Sequence, residues 1–342
     1  MSAPTSSALC PQVNRRRALR LGLAGALLSL SALPAAQAQT AWTLAPGYAA
    51  NVFMTQHLAQ FAADLTKASQ GKLAVKVGEL GQPFAMADIR KAVGDGKVEG
   101  GNVLGSALSK EFPVAGVDSV PFMVGSHADA RRLWKHQRAM LDEQMAEKGL
   151  KLLFAVPWPA QGLYSVQPIR GIEDMRGMKM RTYNPTTVRI AELMGATPVD
   201  LPVGPPLVKA LADGNIDSMI TSSATGVDMK VWQRFKYFYE VRAWFPKNLT
   251  FVSTKAFNAL DEATKKAVLG AAQAAEDSGW QLSEKVSADA MAELQRNQIQ
   301  VNPTPLHLAP YLKRFGERFT REWIGTVGHQ ANRLFIPYYA GQ

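Results

Sequence analysis

Lys91-Ala92-Val93-Gly94-Asp95-Gly96-Lys97-Val98-Glu99 returns later in the chain as Lys209-Ala210-Leu211-Ala212-Asp213-Gly214-Asn215-Ile216-Asp217. Both copies read as the end of a helix, an Asp-Gly turn, and an apolar strand carrying an acid. Each strand then opens into small residues, Gly105-Ser106-Ala107 in one and Thr221-Ser222-Ser223-Ala224 in the other. In open α/β sheets the loops at strand carboxyl ends line the ligand crevice. Two such units predict two lobes facing each other across a cleft, although Asp-Gly turns also occur wherever a helix meets a strand.

Outward from the first copy, helix and strand patterns alternate, which argues for an α/β fold. Residues 51–69 carry Val52, Phe53, Leu58, Phe61 and Leu65 at helical spacing, and 73–77 read as a short strand. A helix over 87–93, a strand over 98–104, a helix over 140–149 and a buried strand over 151–156 follow. Pro157-Trp158-Pro159 then looks like a crossover between domains. Residues 261–297 form the longest helix-compatible stretch. It is either one helix of about 55 Å that braces both lobes or two helices broken near Gly279.

The first 38 residues differ from the rest. Arg15, Arg16, Arg17 and Arg20 precede an apolar run over 21–33, and Ala36-Gln37-Ala38 offers a cleavage site. This is the pattern of a secretory signal peptide, with an apolar run too short to span a bilayer. The arginines fit both a Sec and a twin-arginine export signal. The whole chain of 342 residues has 38 basic and 28 acidic side chains. Four of the basic ones fall in this leader, so its removal lowers the net charge from +10 to +6 and discards the lone Cys10. Scattered basic residues at that excess do not make a nucleic-acid surface. The mature chain is expected to be soluble, exported to a periplasm and free of disulfides.

The sequence holds no H-E-x-x-H, nucleophile elbow or Walker loop, and its histidines lack metal-ligand spacing. No metal, cofactor or catalytic residue is expected. In Gly171-Ile172-Glu173-Asp174-Met175-Arg176-Gly177-Met178-Lys179-Met180-Arg181, Met178 and Met180 alternate with two cations. Arg181 thus falls at the carboxyl end of a short strand, just before Tyr183-Asn184-Pro185. A guanidinium there can hold a carboxylate bidentately and stays charged at physiological pH, although a surface ion pair is the commoner fate of an arginine.

This region resembles the DctP-type solute-binding proteins of tripartite ATP-independent periplasmic (TRAP) transporters. The matching pieces are Asp174 to Arg181 as quoted, Met194-Gly195-Ala196-Thr197-Pro198-Val199, the second Asp-Gly unit, and Phe251-Val252-Ser253-Thr254-Lys255-Ala256-Phe257. Upstream, Gly78-Glu79-Leu80-Gly81 and Val117-Asp118-Ser119-Val120-Pro121-Phe122 also fit. The resemblance implies a two-lobed binding protein, each lobe a central mixed β-sheet flanked by helices, with hinge strands and a long helix spanning both. It places a signal peptide at 1–38, lobe I at 39–158 plus 247–286, and lobe II at 159–246 plus 287–342.

The resemblance implies that Arg181 clamps a ligand carboxylate, with Tyr183 following it and Trp158 and Gln161 at the first crossover in contact with ligand. Where many members carry an amide run after the second strand, this chain has Thr221 and Ser222, so a hydroxyl is expected to substitute. Phe84, Leu104, Trp158 and Trp244 suggest aromatic walls, and hence an aromatic or bulky apolar monocarboxylate, with or without a 2-oxo or 2-hydroxy group. Burying about 150 Å² of apolar ligand at about 25 cal/mol per Å² is worth roughly 4 kcal/mol. The implied partners are a small organic acid and the integral membrane permease subunits of a TRAP transporter. Two further readings are a secreted hydrolase or isomerase pairing Arg181 with Asp217, and a binding lobe that serves a sensor.

Overall fold

The computed structural model describes residues 39–79 and 84–341. The expected signal peptide lies outside the described residues, as do Leu80 and Gly81. From Thr40 the elements run β1 (Thr40–Pro46), α1 (Phe53–Ala68), β2 (Leu73–Val77), α2 (Met86–Gly94), β3 (Gly100–Leu104), α3 (His127–Glu147) and β4 (Leu150–Pro157). The chain then passes to β5 (Gln161–Ser165), β6 (Lys179–Thr182), α4 (Pro185–Leu193), β7 (Thr197–Asp200), α5 (Pro205–Ala212), β8 (Ser218–Ser222), α6 (Ser223–Asp228) and β9 (Tyr237–Glu240). It closes with β10 (Lys247–Ser253), α7 (Thr254–Asn258), α8 (Glu262–Arg296), β11 (Gln300–Pro303), α9 (Ala309–Val327) and α10 (Gln330–Ala340).

Two mixed sheets result, ordered β2-β1-β3-β10-β4 and β11-β9-β5-β8-β6-β7. The sequence echo is a topological echo. In both sheets a strand-helix-strand-helix-strand run (β1 to β3, β6 to β8) forms three parallel strands whose first member lies in the middle. An antiparallel strand then pairs with the third, β10 with β3 and β5 with β8. The two Asp-Gly turns are equivalent in detail. Asp95 and Asp213 cap α2 and α5, their carboxylates bond Lys91 and Lys209 one turn back, and Gly96 and Gly214 both sit at φ 70°. That left-handed φ is cheap only for glycine.

The sheets exchange strands through two connectors that run side by side. One joins β4 to β5 through 158–160 and the other joins β9 to β10 through 241–246. Trp158 N donates to the Pro246 carbonyl at 2.8 Å, Gln161 N to the Trp244 carbonyl at 2.9 Å, and Ala243 N to the Gln161 carbonyl at 2.8 Å.

Helix α8 is one unbroken helix of 35 residues, about 52 Å at 1.5 Å per residue. Asp261 starts it by accepting from Thr264 N at 2.8 Å. Val268, Ala272 and Ala275 pack in a cluster under the first sheet, whereas Leu294 belongs to a cluster under the second. Gly279 does not break it. A β-carbon there would run into Val156 Cγ2 and come within 3.1 Å of the His57 ring, so glycine is what lets α8 lie close on β4 and α1. The C-terminal part departs from the expected partition. Helix α9 starts in the second lobe's core through Leu308, Leu312 and Phe315, and Gly316 meets the backbone of Pro121 and Phe122. Val327 and the α10 residues Ala331, Leu334, Phe335 and Tyr338 then join the first lobe's cluster against α3. The helix expected over 140–149 also begins earlier, at His127, where Ser126 accepts from Asp129 N.

Candidate ligand-binding site

In strand β6 Lys179 is exposed while Met180, Arg181 and Thr182 are all buried, so the burial does not follow the expected alternation, and Arg181 is the last residue but one of the strand. Arg181 is 1% exposed. Its Nε donates to the Leu201 carbonyl at 2.7 Å, and its Cζ lies 4.4 Å from the centre of the Tyr183 ring. Neither terminal nitrogen, Nη1 or Nη2, has a hydrogen-bond partner among the described residues. Burial lowers its pKa to about 10, with Tyr183, Tyr48 and Asp200 opposing. The group is therefore charged at neutral pH. A buried cation with two unused parallel donors is the arrangement that accepts a carboxylate in the bidentate mode.

Two tyrosines, Tyr183 and Tyr48, lie near Arg181. Tyr48, which the sequence reading does not single out, comes from the loop after β1 and is close enough to interact electrostatically with Arg181 and Tyr183. Burial raises its hydroxyl pKa, with Tyr183 adding to the rise. Tyr183 is pushed up to about 12 by burial, against the Arg181 charge and a hydrogen bond from the Trp244 side chain. Trp158 packs edge-on to Tyr48 and to Phe53, both at 5.0 Å, and its Nε1 donates to Asn248 Oδ1 at 2.9 Å. Ala224 of α6 joins the same apolar cluster as Tyr48 and Trp158, so the two halves meet here. Tyr48 could have been anticipated from its place at a strand's carboxyl end, in the crevice-lining position.

Of the remaining expected site residues, Thr221 is buried on β8 opposite Gly162. Ser222 is committed elsewhere: its hydroxyl accepts from Thr225 N at 3.1 Å and donates to Thr225 Oγ1 at 3.0 Å, which makes it the N-cap of α6. The Gln161 amide donates to the Pro159 carbonyl at 3.0 Å and stiffens the first connector. Leu104 is half-buried at the end of β3, on the cluster that holds Trp158. Phe84 instead packs on the α3-side cluster, with Lys97 Nζ 6.0 Å from its ring centre. Asp217 is at the amino end of β8, where it accepts from Arg234 Nη2 at 2.8 Å and from Lys179 N at 3.0 Å. It cannot serve as an acid or base beside Arg181, and the hydrolase reading loses its second residue.

A second buried cation borders the connectors. Lys247 and Asp118 are 0% and 2% exposed and pair at 3.2 Å, and Asp118 Oδ2 also accepts from Lys247 N at 2.8 Å. Burial pushes Asp118 up and Lys247 down in pKa, each held back by the charge of the other. This cation is already neutralised, whereas that of Arg181 is not.

Residues 47–322 match the family model described as bacterial extracellular solute-binding protein, family 7 (DctP). Among solved structures, the chain resembles DctP7 of Bordetella pertussis, an extracytoplasmic solute receptor binding pyroglutamic acid. Identity is 33% and the TM-score 0.84, over 88% of this chain and 99% of that one. DctP6 of the same organism, also a receptor binding pyroglutamic acid, is 32% identical with a TM-score of 0.83, over 88% and 100%. A TRAP solute-binding protein from a marine metagenome, specific for pyroglutamate, is 28% identical with a TM-score of 0.83, over 88% and 99%.

Proposed function

The chain belongs to family 7 of the bacterial extracellular solute-binding proteins, receptors rather than enzymes, and on that premise we propose that it captures a compact cyclic monocarboxylate of the pyroglutamate type between its two lobes. The observation that carries this reading is the pair of buried, unpartnered terminal nitrogens on Arg181. One free guanidinium matches one carboxylate. A dicarboxylate would bring a second charge to a site whose other cation, Lys247, is already paired with Asp118. Tyr48, Tyr183, Trp158 and Trp244 supply flat apolar faces for the ring, and the Thr221 hydroxyl a polar contact. The pyroglutamate held by relatives 28–33% identical favours a small ring over the bulkier aromatic acid that the sequence alone suggests. In this reading residues 1–38 direct export to the periplasm, and the loaded protein delivers its acid to the membrane subunits of a TRAP transporter.

Isothermal titration of the purified protein against pyroglutamate, galacturonate and phenylpyruvate tests the ligand class. Pyroglutamate is expected to bind tightest. Arg181→Ala should cost at least about 3 kcal/mol, more than a hundredfold in Kd, because the carboxylate would be buried without its partner. Undiminished binding in that variant would remove Arg181 from the site.

A further inference from the structure

A buried chain of hydrogen bonds ends on the Trp158 indole. Trp158 Nε1 donates to Asn248 Oδ1 at 2.9 Å, Asn248 Nδ2 donates to Asn102 Oδ1, and Asn102 Nδ2 donates to Thr250 Oγ1 at 2.8 Å. Asn102 and Thr250 face each other across the β3–β10 pair, and Asn248 is two residues before Thr250 on the same strand. All four side chains are buried. An indole N–H can only donate, so it fixes the Asn248 amide with its oxygen toward Trp158 and its nitrogen toward Asn102. Asn102 is fixed in turn, with its nitrogen toward Thr250. The aromatic end therefore sets the direction of the whole chain.

This chain reaches Tyr48 by two routes. Trp158 meets the rings of Tyr48 and Phe53 edge-on, both at 5.0 Å. Gly47, the residue before Tyr48, lies so close to Asn102 that a β-carbon on it would come within 2.8 Å of the Asn102 carbonyl oxygen. Tyr48 is in turn near enough to Arg181 to interact with its charge. A phenylalanine at position 158 could make edge-on contacts without any acceptor, whereas a hydrogen-bonded indole is also held in one orientation. Buried polar networks whose members are paired rigidify a core and specify one arrangement of it.

We infer that Asn248 is a positioning residue for the ligand site: backed by Asn102 and Thr250, it holds the Trp158 indole in one orientation, and that indole holds Tyr48 near Arg181. The inference rests on the carboxylate reading of Arg181 and adds to it the part of the first lobe that sets a tyrosine in place before the acid arrives. Such preorganisation raises affinity by lowering the ordering cost of binding, with no contact between Asn248 and the ligand.

Calorimetric titration of pyroglutamate into five proteins tests it: the wild type, Asn248→Leu, Asn248→Asp, Trp158→Phe and the double variant Asn248→Leu/Trp158→Phe. Asn248→Leu removes the acceptor at similar volume and should weaken binding at least about fivefold. Asn248→Asp keeps an oxygen for the indole, with the Asn102 amide turned round to donate to the new carboxylate and accept from the Thr250 hydroxyl, and should recover most of that loss. It should do so while melting no higher than Asn248→Leu, because it buries a charge, so the recovery would not follow stability. Trp158→Phe leaves Asn248 no N–H to hold, so adding Asn248→Leu to it should cost no further affinity. Binding by Asn248→Leu within about twofold of wild type overturns the positioning role and leaves the Arg181 clamp standing. So does an equal loss in Asn248→Asp, or a further loss in the double variant. No binding of pyroglutamate by the wild-type protein overturns the carboxylate reading and the positioning role together. Should the Asn248 variants fail to fold, Trp158→Phe decides: a loss of at least about fivefold upholds the assignment, and binding within about twofold of wild type overturns it.

Discussion

Arg181 and Lys247 are both buried cations, and they differ in whether the described chain supplies a counter-charge. Lys247 has its counter-ion in the chain, so the Asp118–Lys247 pair belongs to the fold. Asp118→Ala should leave Lys247 buried and alone, at a cost of about 3–5 kcal/mol, and Asp118→Leu with Lys247→Met should recover most of that in urea unfolding. A double variant no more stable than the single one would contradict this account. Ser222 separates the same two kinds of role among the hydroxyls. Ser222→Ala should lose about 1 kcal/mol as a helix cap while the Kd for pyroglutamate stays within twofold. A large loss of affinity without a loss of stability would return Ser222 to the site. The place of Arg181 near the end of a short strand, just before Asn184-Pro185, was legible in the sequence, but its burial was not, because alternation puts it on the same face as the exposed Lys179. The role of Ser222 was not legible, because a hydroxyl at the end of a strand serves a ligand or the next helix equally well. What decides is the local geometry that brings Thr225 N within reach. Tyr48 follows a strand's carboxyl end, a local signal that was there to read, but its proximity to Arg181 and Tyr183, far along the chain, was not.

At the scale of elements, α8 is held from two sides by histidines. His57 of α1 lies 3.3 Å from Ser278 Oγ, and His127 at the start of α3 lies 3.2 Å from Ser283 Oγ. Burial depresses both pKa values below that of a free imidazole. The unfolded chain therefore binds these protons more readily, and stability falls as the pH drops from about 7 through 6.5 and below. Asp228 acts in the opposite sense, since burial raises its carboxyl to about 6 and the folded state gains from its protonation on further acidification. Thermal melts at pH 7.5 and 6.0 should show a drop for the wild-type protein that shrinks in the His57→Gln/His127→Gln variant, where the Asp228 contribution is unchanged. An identical drop in both would exclude the histidines. Gly279→Ala should destabilise by about 1–3 kcal/mol, because the added methyl meets Val156 and His57 instead of gaining helix propensity. The alternation of helices and strands and the Asp-Gly echo were legible, because period and turn chemistry are local. Whether Gly279 ends a helix or permits a close contact depends on what lies across from it, and that information resides in β4 and α1.

For the whole molecule, the chain repeatedly crosses between its halves. The two connectors bond to each other, α8 reaches from the core of the first lobe to that of the second, and α9 and α10 return the other way. This return is the part of the architecture least legible in the sequence, since the amphipathic pattern of α10 reports that one face is buried but not which sheet covers it. Its consequence is thermodynamic. If one lobe unfolded alone, the half of α8 and the end of α9 or α10 docked on it would lose their cover, and at about 1.5–3 kcal/mol for each large apolar side chain exposed the loss would rival the total stability of a domain. The lobes should therefore unfold together. Calorimetry of the ligand-free protein should give a single transition whose van't Hoff and calorimetric enthalpies agree, even though the fold is built from two repeats. A ligand at a hundred times its Kd should move that one transition upward by about 2.7 kcal/mol of added stability, and Arg181→Ala should abolish the shift. Two resolved transitions, with only one of them responding to ligand, would mean that the bridging helices do not couple the lobes.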